Sequence, residues 1–207
     1  MQLYPKPRKK SVMPTDYKTK ILVAAIKVFA QKGYVNTTMS DIAIHAKVGI
    51  GTLYNYFKNK DDLLLQCMKK VVDDEISIIQ AEAEPIKDPI ERLYDFFVRH
   101  AELVVAKPYI AKFLVVELRQ SESFYKRNPS FNPMQYYLDY IAKLLQKAMD
   151  KGRIRTFDVT ALSYIIFGAM DMLLTQWFIS GKTLELKPLI QNIRTILGMG
   201  LLEDKKR

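Results

Sequence analysis

Cysteine and histidine are nearly absent from this sequence of 207 residues, which holds one cysteine, Cys67, and two histidines, His45 and His100. A single thiol excludes an intramolecular disulfide framework and any multi-cysteine zinc site, and it suits a reducing compartment. The histidines are far apart in sequence, and neither has a second His or a Cys at metal-ligand spacing, so no metal site is expected. His100 with Glu102 nearby is too little for acid–base chemistry and reads as a packing or surface residue of a helix. Cys67 follows an apolar stripe and reads as a buried small hydrophobe, not a nucleophile. The run Gly49-Ile50-Gly51 lacks both the preceding strand and the following Lys-Ser/Thr of a phosphate loop. No catalytic constellation remains, so the expectation is a protein that is not an enzyme and carries no cofactor.

Long apolar runs are missing as well. The first twenty residues are charged and hold no apolar stretch, unlike a secretory signal. The longest uncharged run of the apolar C-terminal part, Val159 to Met170, has twelve residues, short of the roughly 20 that cross a bilayer. A soluble cytoplasmic protein with no membrane partner is expected. Neither alternation of period two nor a repeat at solenoid spacing occurs. What is present is 49% hydrophobic and 26% charged residues, a balance that suits a packed core and not a disordered chain.

Acidic residues are scarce in one place only. Eleven of the 32 Lys and Arg but only two of the 22 Asp and Glu lie in residues 1–60, so this stretch carries +9 of the net +10. A basic module joined to a neutral one suits contact with a polyanion by the first part and another task for the second; a solvated basic face is the plainer alternative.

Helical signals run through the chain. Ile21, Leu22, Ala25, Val28 and Phe29 form one stripe before Gly33, and Leu63, Leu64, Cys67, Met68, Val71 and Val72 form another after Asn59, a good N-cap. Asp88-Pro89-Ile90-Glu91 combines an N-cap, a proline at N1 and an acid at N3 able to reach back as in a capping box. Asn132-Pro133 opens a helix with Tyr137, Leu138, Ile141, Leu144, Leu145 and Ala148 on one face, and Gly152 closes it. Asp158 precedes a long apolar helix ending near Gly181, and a last stripe starts at about Leu186. Proline and glycine punctuation divides residues 60–200 into about six helices of ordinary length. The fold class is all-α. Residues 1–14, with three prolines and four basic residues, read as a flexible basic arm.

Between Gly33 and Leu64 the layout is a helix-turn-helix. Thr38 caps a short helix from Met39 to about Ala46, Lys47-Val48-Gly49 makes the turn, and a second short helix runs from about Ile50 to Phe57. Leu53, Tyr56 and Phe57 point inward while Thr52 and Asn55 face outward, as a helix entering the major groove requires. These residues, Thr38, Ile42-Ala43, Ala46-Lys47-Val48-Gly49, Gly51-Thr52-Leu53-Tyr54, Tyr56-Phe57 and Asn59-Lys60-Asp61-Asp62-Leu63, resemble the signature of the TetR family of one-component bacterial repressors. The likeness implies an N-terminal three-helix DNA-binding domain over 15–60 and a C-terminal helical ligand-binding and dimerisation domain over 61–207. It implies that Thr38, Tyr54, Tyr56 and Lys60 hold phosphates and that Ile50, Thr52 and Asn55 approach bases. Core packing is the alternative duty for Tyr54 and Tyr56. Two positions depart from the family pattern. Lys47 replaces the usual turn glycine, implying a left-handed backbone at some cost and an added ionic contact, and Gly49 replaces the usual serine, losing a hydroxyl that would cap the recognition helix.

In the C-terminal part, the apolar stripe of the last helix and the nearly all-round apolar helix before it offer more surface than one protomer needs, which predicts a homodimer with a four-helix interface and a palindromic operator in double-stranded DNA. Phe96, Phe113, Tyr137, Tyr140, Phe167 and Met170 are candidates to line a large cavity, with an ordinary aromatic core as the alternative. The stretch Val115-Val116-Glu117-Leu118-Arg119-Gln120-Ser121, then Lys151-Gly152-Arg153-Ile154, Ile166-Phe167-Gly168-Ala169-Met170-Asp171 and Trp177 resemble the fatty-acid-metabolism branch of the family. That likeness implies a long-chain acyl-CoA effector, with Arg99, Lys112, Arg119, Lys126 and Arg127 as candidate cations for its phosphates. A sensor of lipophilic drugs or other xenobiotics that controls efflux genes is the rival reading of the same fold.

Overall fold

The computed structural model describes residues 17–113, 122–132 and 134–201. The basic arm and Arg119 with its neighbours lie outside the described residues. The described residues form ten α-helices and no strand: α1 (Tyr17–Lys32), α2 (Met39–Ala46), α3 (Ile50–Tyr56), α4 (Lys60–Glu82), α5 (Pro89–Ala106), α6 (Pro108–Lys112), α7 (Glu122–Arg127), α8 (Gln135–Asp150), α9 (Val159–Ile179) and α10 (Leu186–Leu201).

Local chemistry sets most of these boundaries. Gly33 ends α1 at φ 78°, a left-handed geometry that costs glycine nothing. Asn59 caps α4 through the N–H of Asp62, Asp158 caps α9 through that of Ala161, and Asp88 accepts from the N–H groups of both Ile90 and Glu91 at the start of α5. Glu91 turns its carboxylate to Arg194 of α10, so the expected reach back to its own cap gives way to a tertiary ion pair. The described residues of 60–200 hold five long helices and two short ones, in place of about six of ordinary length. Pro108 explains one break: it cannot donate within α5 and instead takes N1 of α6, so Lys107 ends one helix and starts the next.

Helix α9 runs on past Asp171 to Ile179. By length and composition it could cross a membrane, which the count of uncharged residues alone excludes, and only a third of its most apolar window is buried. Ala161, Ile165, Gly168, Met172 and Ile179 are all exposed; at 100° per residue they fall on one narrow stripe.

Three apolar clusters form the interior. The first joins α1, α2, α3 and the first half of α4, from Ile21 and Phe29 to Leu63, Leu64, Cys67 and Met68, and is completed by Phe113 and Phe124. The second takes Val72 and Ile79 from the other half of α4 and packs them with α5, α8 and the start of α9. The third lies where α5 meets α9 and α10 around Trp177. Each fully buried aliphatic or aromatic side chain stabilises by about 1.5–3 kcal/mol, so α4 is anchored independently at its two ends.

Candidate DNA-binding surface and effector cleft

The helix-turn-helix is fixed by reciprocal caps. Thr38 Oγ1 accepts from the N–H of Asp41 at 3.1 Å, while the Asp41 carboxylate accepts from the Thr38 N–H at 2.9 Å, a capping box. Lys32 bridges to Asp41 at 2.7 Å; the hydrogen bonds from Lys32 and Thr38 hold that carboxyl down at about 2. Lys47 sits in the left-handed region, φ 53° and ψ 49°, as its place in a usual glycine position implies. Gly49 is the N-cap of α3 and supplies no side-chain cap. A side chain there would meet Thr52 Oγ1 at 3.8 Å, ordinary contact distance, so a serine would fit.

On α3, Leu53 is fully buried, and Phe57 just beyond it is too. Ile50, Tyr54 and Asn55 are exposed and Thr52 is half-buried. The two tyrosines part company: Tyr54 is 52% exposed, whereas Tyr56 packs partly against the first core. Lys60 has a duty not expected from the sequence. Its ammonium donates to the carbonyls of Tyr34, Val35 and Thr37 at 2.9, 3.3 and 2.8 Å and lies 4.4 Å from the Tyr34 ring centroid. All three of its protons are engaged in tying the α1–α2 loop to α4.

A second tie crosses from the body of the protein to this module. Arg127 of α7 donates from Nε to Asp61 Oδ2 at 2.9 Å, and the Tyr34 hydroxyl donates to the other oxygen of the same carboxylate. Burial would raise the Asp61 carboxyl, yet the hydrogen bonds from Arg127 and Tyr34 hold it below its ordinary range. Burial and the Asp61 hydrogen bond push the Tyr34 phenol up to about 12.

In the body, four of the ligand candidates, Phe96, Tyr137, Tyr140 and Phe167, come together as an aromatic cluster. At its heart is a group that the sequence reading missed: Glu75, only 1% exposed. It accepts from the Tyr137 hydroxyl at 2.5 Å and is hydrogen-bonded to His100 Nδ1, joining α4, α8 and α5. Burial pushes the His100 imidazole down to about 4 and the Tyr137 phenol above its ordinary range. The Tyr140 hydroxyl is buried and has no partner. Phe113 stands apart, in the first core. Arg99 is held by Asp95 at 2.6 Å and by Glu82. Lys112 reaches the carbonyl of Gln31 at 3.4 Å. Cys67 is buried, its thiol pushed up by burial, the inert hydrophobe expected.

Between α5, α9 and α10 opens a cleft of about 440 Å³. Its walls are apolar, with Leu93 and Phe97 from α5, Ile166, Met170 and Leu173 from α9, and Ile190 and Ile193 from α10. Met170 is the one ligand candidate that lines it. Arg153, Arg194, Glu91 and Gln191 line it as well. No group of three or more potential metal ligands occurs among the described residues.

A capped helix-turn-helix with an outward-facing second helix, carried on an α-helical body with an apolar cleft, defines a one-component DNA-binding regulator. The chain belongs to the TetR family: residues 21–67 match the bacterial regulatory proteins of the tetR family, and residues 66–200 match the YsiA-like C-terminal region. It is 29% identical over 182 residues to the fatty acid metabolism regulator protein of Bacillus subtilis, covering 87% of this chain and 93% of that protein. Among solved structures it is similar to the regulator FadR from Bacillus subtilis in complex with stearoyl-CoA, with TM-score 0.80, 28% identity, and coverage of 88% of this chain and 98% of that one. The fatty acid degradation regulator FadR from Bacillus halodurans has TM-score 0.78 and 25% identity, covering 88% and 94%. The all-α class and the likeness to the fatty-acid-metabolism branch are thereby borne out.

Proposed function

We propose that the chain is a homodimeric repressor that grips a palindromic operator with paired α3 helices and releases it when the body binds a long-chain acyl-CoA. The observation that carries this reading is the shared extent of the likeness. Both the helix-turn-helix and nearly the whole body resemble a regulator whose structure holds stearoyl-CoA.

The DNA contacts follow from exposure. Ile50 and Asn55 meet base edges with the half-buried Thr52 beside them, while Thr38, Tyr54 and Lys47 contact the backbone, a reading that their exposure supports. Tyr56 adds its hydroxyl from a packed position. Lys60 acts chiefly by holding the loop before α2, and it brings the phosphates its positive charge without a free donor. The dimer is supported by the exposed stripe of α9: no atom lies within 4 Å of a Cβ built at Gly168, leaving room for a partner helix to approach. Effector binding moves α4, rooted in both cores and pinned to α7 through Asp61 and Arg127, and so changes the spacing of the two α3 helices. Only a ligand with unequal affinity for the two states drives such a shift.

Fluorescence anisotropy on the DNA upstream of the chain's own gene, at fixed salt, tests this reading. Oleoyl-CoA releases the DNA, and CoA alone does not. Release by a lipophilic cation such as tetraphenylphosphonium, with none by oleoyl-CoA, replaces the acyl-CoA reading with that of a drug sensor.

A further inference from the structure

Of the cations that the sequence offers for a phosphorylated effector, Arg99 is held between Asp95 and Glu82, and Arg127 by Asp61. Two others stand at the cleft. Arg153, from the turn between α8 and α9, pairs with Asp88 at 2.6 Å, and Arg194 of α10 pairs with Glu91 and lies 4.5 Å from the Tyr94 ring centroid. Asp88 and Glu91 are the N-cap and N3 residues of α5. One helical turn therefore gathers both guanidiniums, and both line the cleft together with its apolar walls. Both ion pairs are partly exposed, and such pairs contribute little to stability; a guanidinium fork suits a phosphate better than a single exposed carboxylate.

We infer that the α5–α9–α10 cleft binds a single-chain amphiphile with a phosphorylated head, Arg153 and Arg194 being its anion ligands and Asp88 and Glu91 the carboxylates it displaces. The inference rests on the reading of the chain as an effector-controlled regulator. The chain of the ligand lies along Phe97, Ile166, Met170 and Leu173. An acyl-CoA and a lysophosphatidate share this chemistry.

Trp177, the only tryptophan of the sequence, packs in one cluster with Met170 and Ile190 of the cleft, so its fluorescence reports occupancy. Titrating the full chain with oleoyl-CoA and, separately, 1-oleoyl-lysophosphatidate, each below its micelle concentration, gives the affinities. Arg153→Gln and Arg194→Gln each weaken binding about tenfold, and Ile193→Phe weakens it by filling the cleft. Glu91→Gln tightens binding several-fold, because it frees Arg194. Arg194→Gln and Glu91→Gln break the same ion pair, so opposite signs cannot come from lost stability, which thermal midpoints check. Shifts in the same direction, or none, overturn the site. If the wild type binds oleoyl-CoA but the variants leave it unchanged, the site falls and acyl-CoA control stands. Opposed signs with lysophosphatidate alone keep the site and remove acyl-CoA as effector. No binding of either amphiphile overturns both.

Discussion

The two halves of α4 lie in interiors of different construction. The first half packs Leu63, Leu64, Cys67 and Met68 into an apolar core, and the ionised side chains around it, Lys60, Asp61 and Arg127, are tied off at its edge. The second half buries Glu75 among aromatic rings, next to an unpartnered Tyr140 hydroxyl, and the body nearby opens a cleft. Among the described residues, the buried carboxyl and imidazole side chains, Glu75 and His100, both lie in the body. The DNA-reading end is thus built to hold one shape, and the body keeps polar groups and space that can be rearranged. One helix, α4, is packed into both.

The largest expected effect probes this contrast directly. Leu63→Ala removes methyls from a fully buried position of the first core, and costs about 2–5 kcal/mol. Leu173→Ala only widens an existing cleft and costs about 1 kcal/mol. Urea denaturation midpoints compare the two, and equal costs would break the distinction between packed head and open body.

Two tyrosines of α8 sharpen it within the body. Tyr137→Phe deprives Glu75 of a donor and costs about 1–3 kcal/mol. Tyr140→Phe, the same change three residues on, removes a hydroxyl that has no partner, so stability stays level or rises. A matching loss in both variants would show that Tyr140 is satisfied in solution.

The buried imidazole supplies the next effect. His100 is held at about 4 by burial, below its unfolded value of about 6.5, so between these limits the unfolded chain binds more protons. Stability is fully present above about pH 6.5 and is lost progressively as pH falls toward 4. Thermal midpoints from pH 7.5 to 5 should fall with acidification, and His100→Asn should flatten that slope. An unchanged slope would assign the acid sensitivity to another group.

Sequence signals reach unequally far into the two interiors. The head was legible because its determinants are local: Thr38 caps α2, Lys47 turns left-handed at the end of the same helix, and Leu53 is buried within α3. Glu75 was visible in principle, since it stands three and four residues after Val72 and Val71 on the apolar stripe of α4, and His100 stands four after Phe96 on that of α5. An acid on a buried face calls for a partner on a facing helix, but which helix is set by tertiary packing. The cleft was not legible. Its charged lining needs Arg153, Arg194 and the first turn of α5 to converge, with Arg194 and Glu91 103 residues apart in the chain, and no spacing rule reports that.

The smallest effect separates fit from charge at the head itself. Gly51 is the second residue of α3, and no atom lies within 4 Å of a Cβ built there, so nothing inside the protein demands glycine. Gly51→Ala should therefore raise stability by about 0.5 kcal/mol through the lower entropy of the unfolded chain. The added methyl projects at the start of the recognition helix, and operator affinity should fall several-fold. Because no charge is removed, the fall should be the same at every salt concentration. Lys47→Ala should do the reverse, reducing the salt slope by about one counterion while leaving the stability of the turn nearly unchanged. Anisotropy titrations at three salt concentrations give both slopes. A Gly51→Ala protein that binds its operator as tightly as the wild type would move the close approach to DNA away from the first turn of α3.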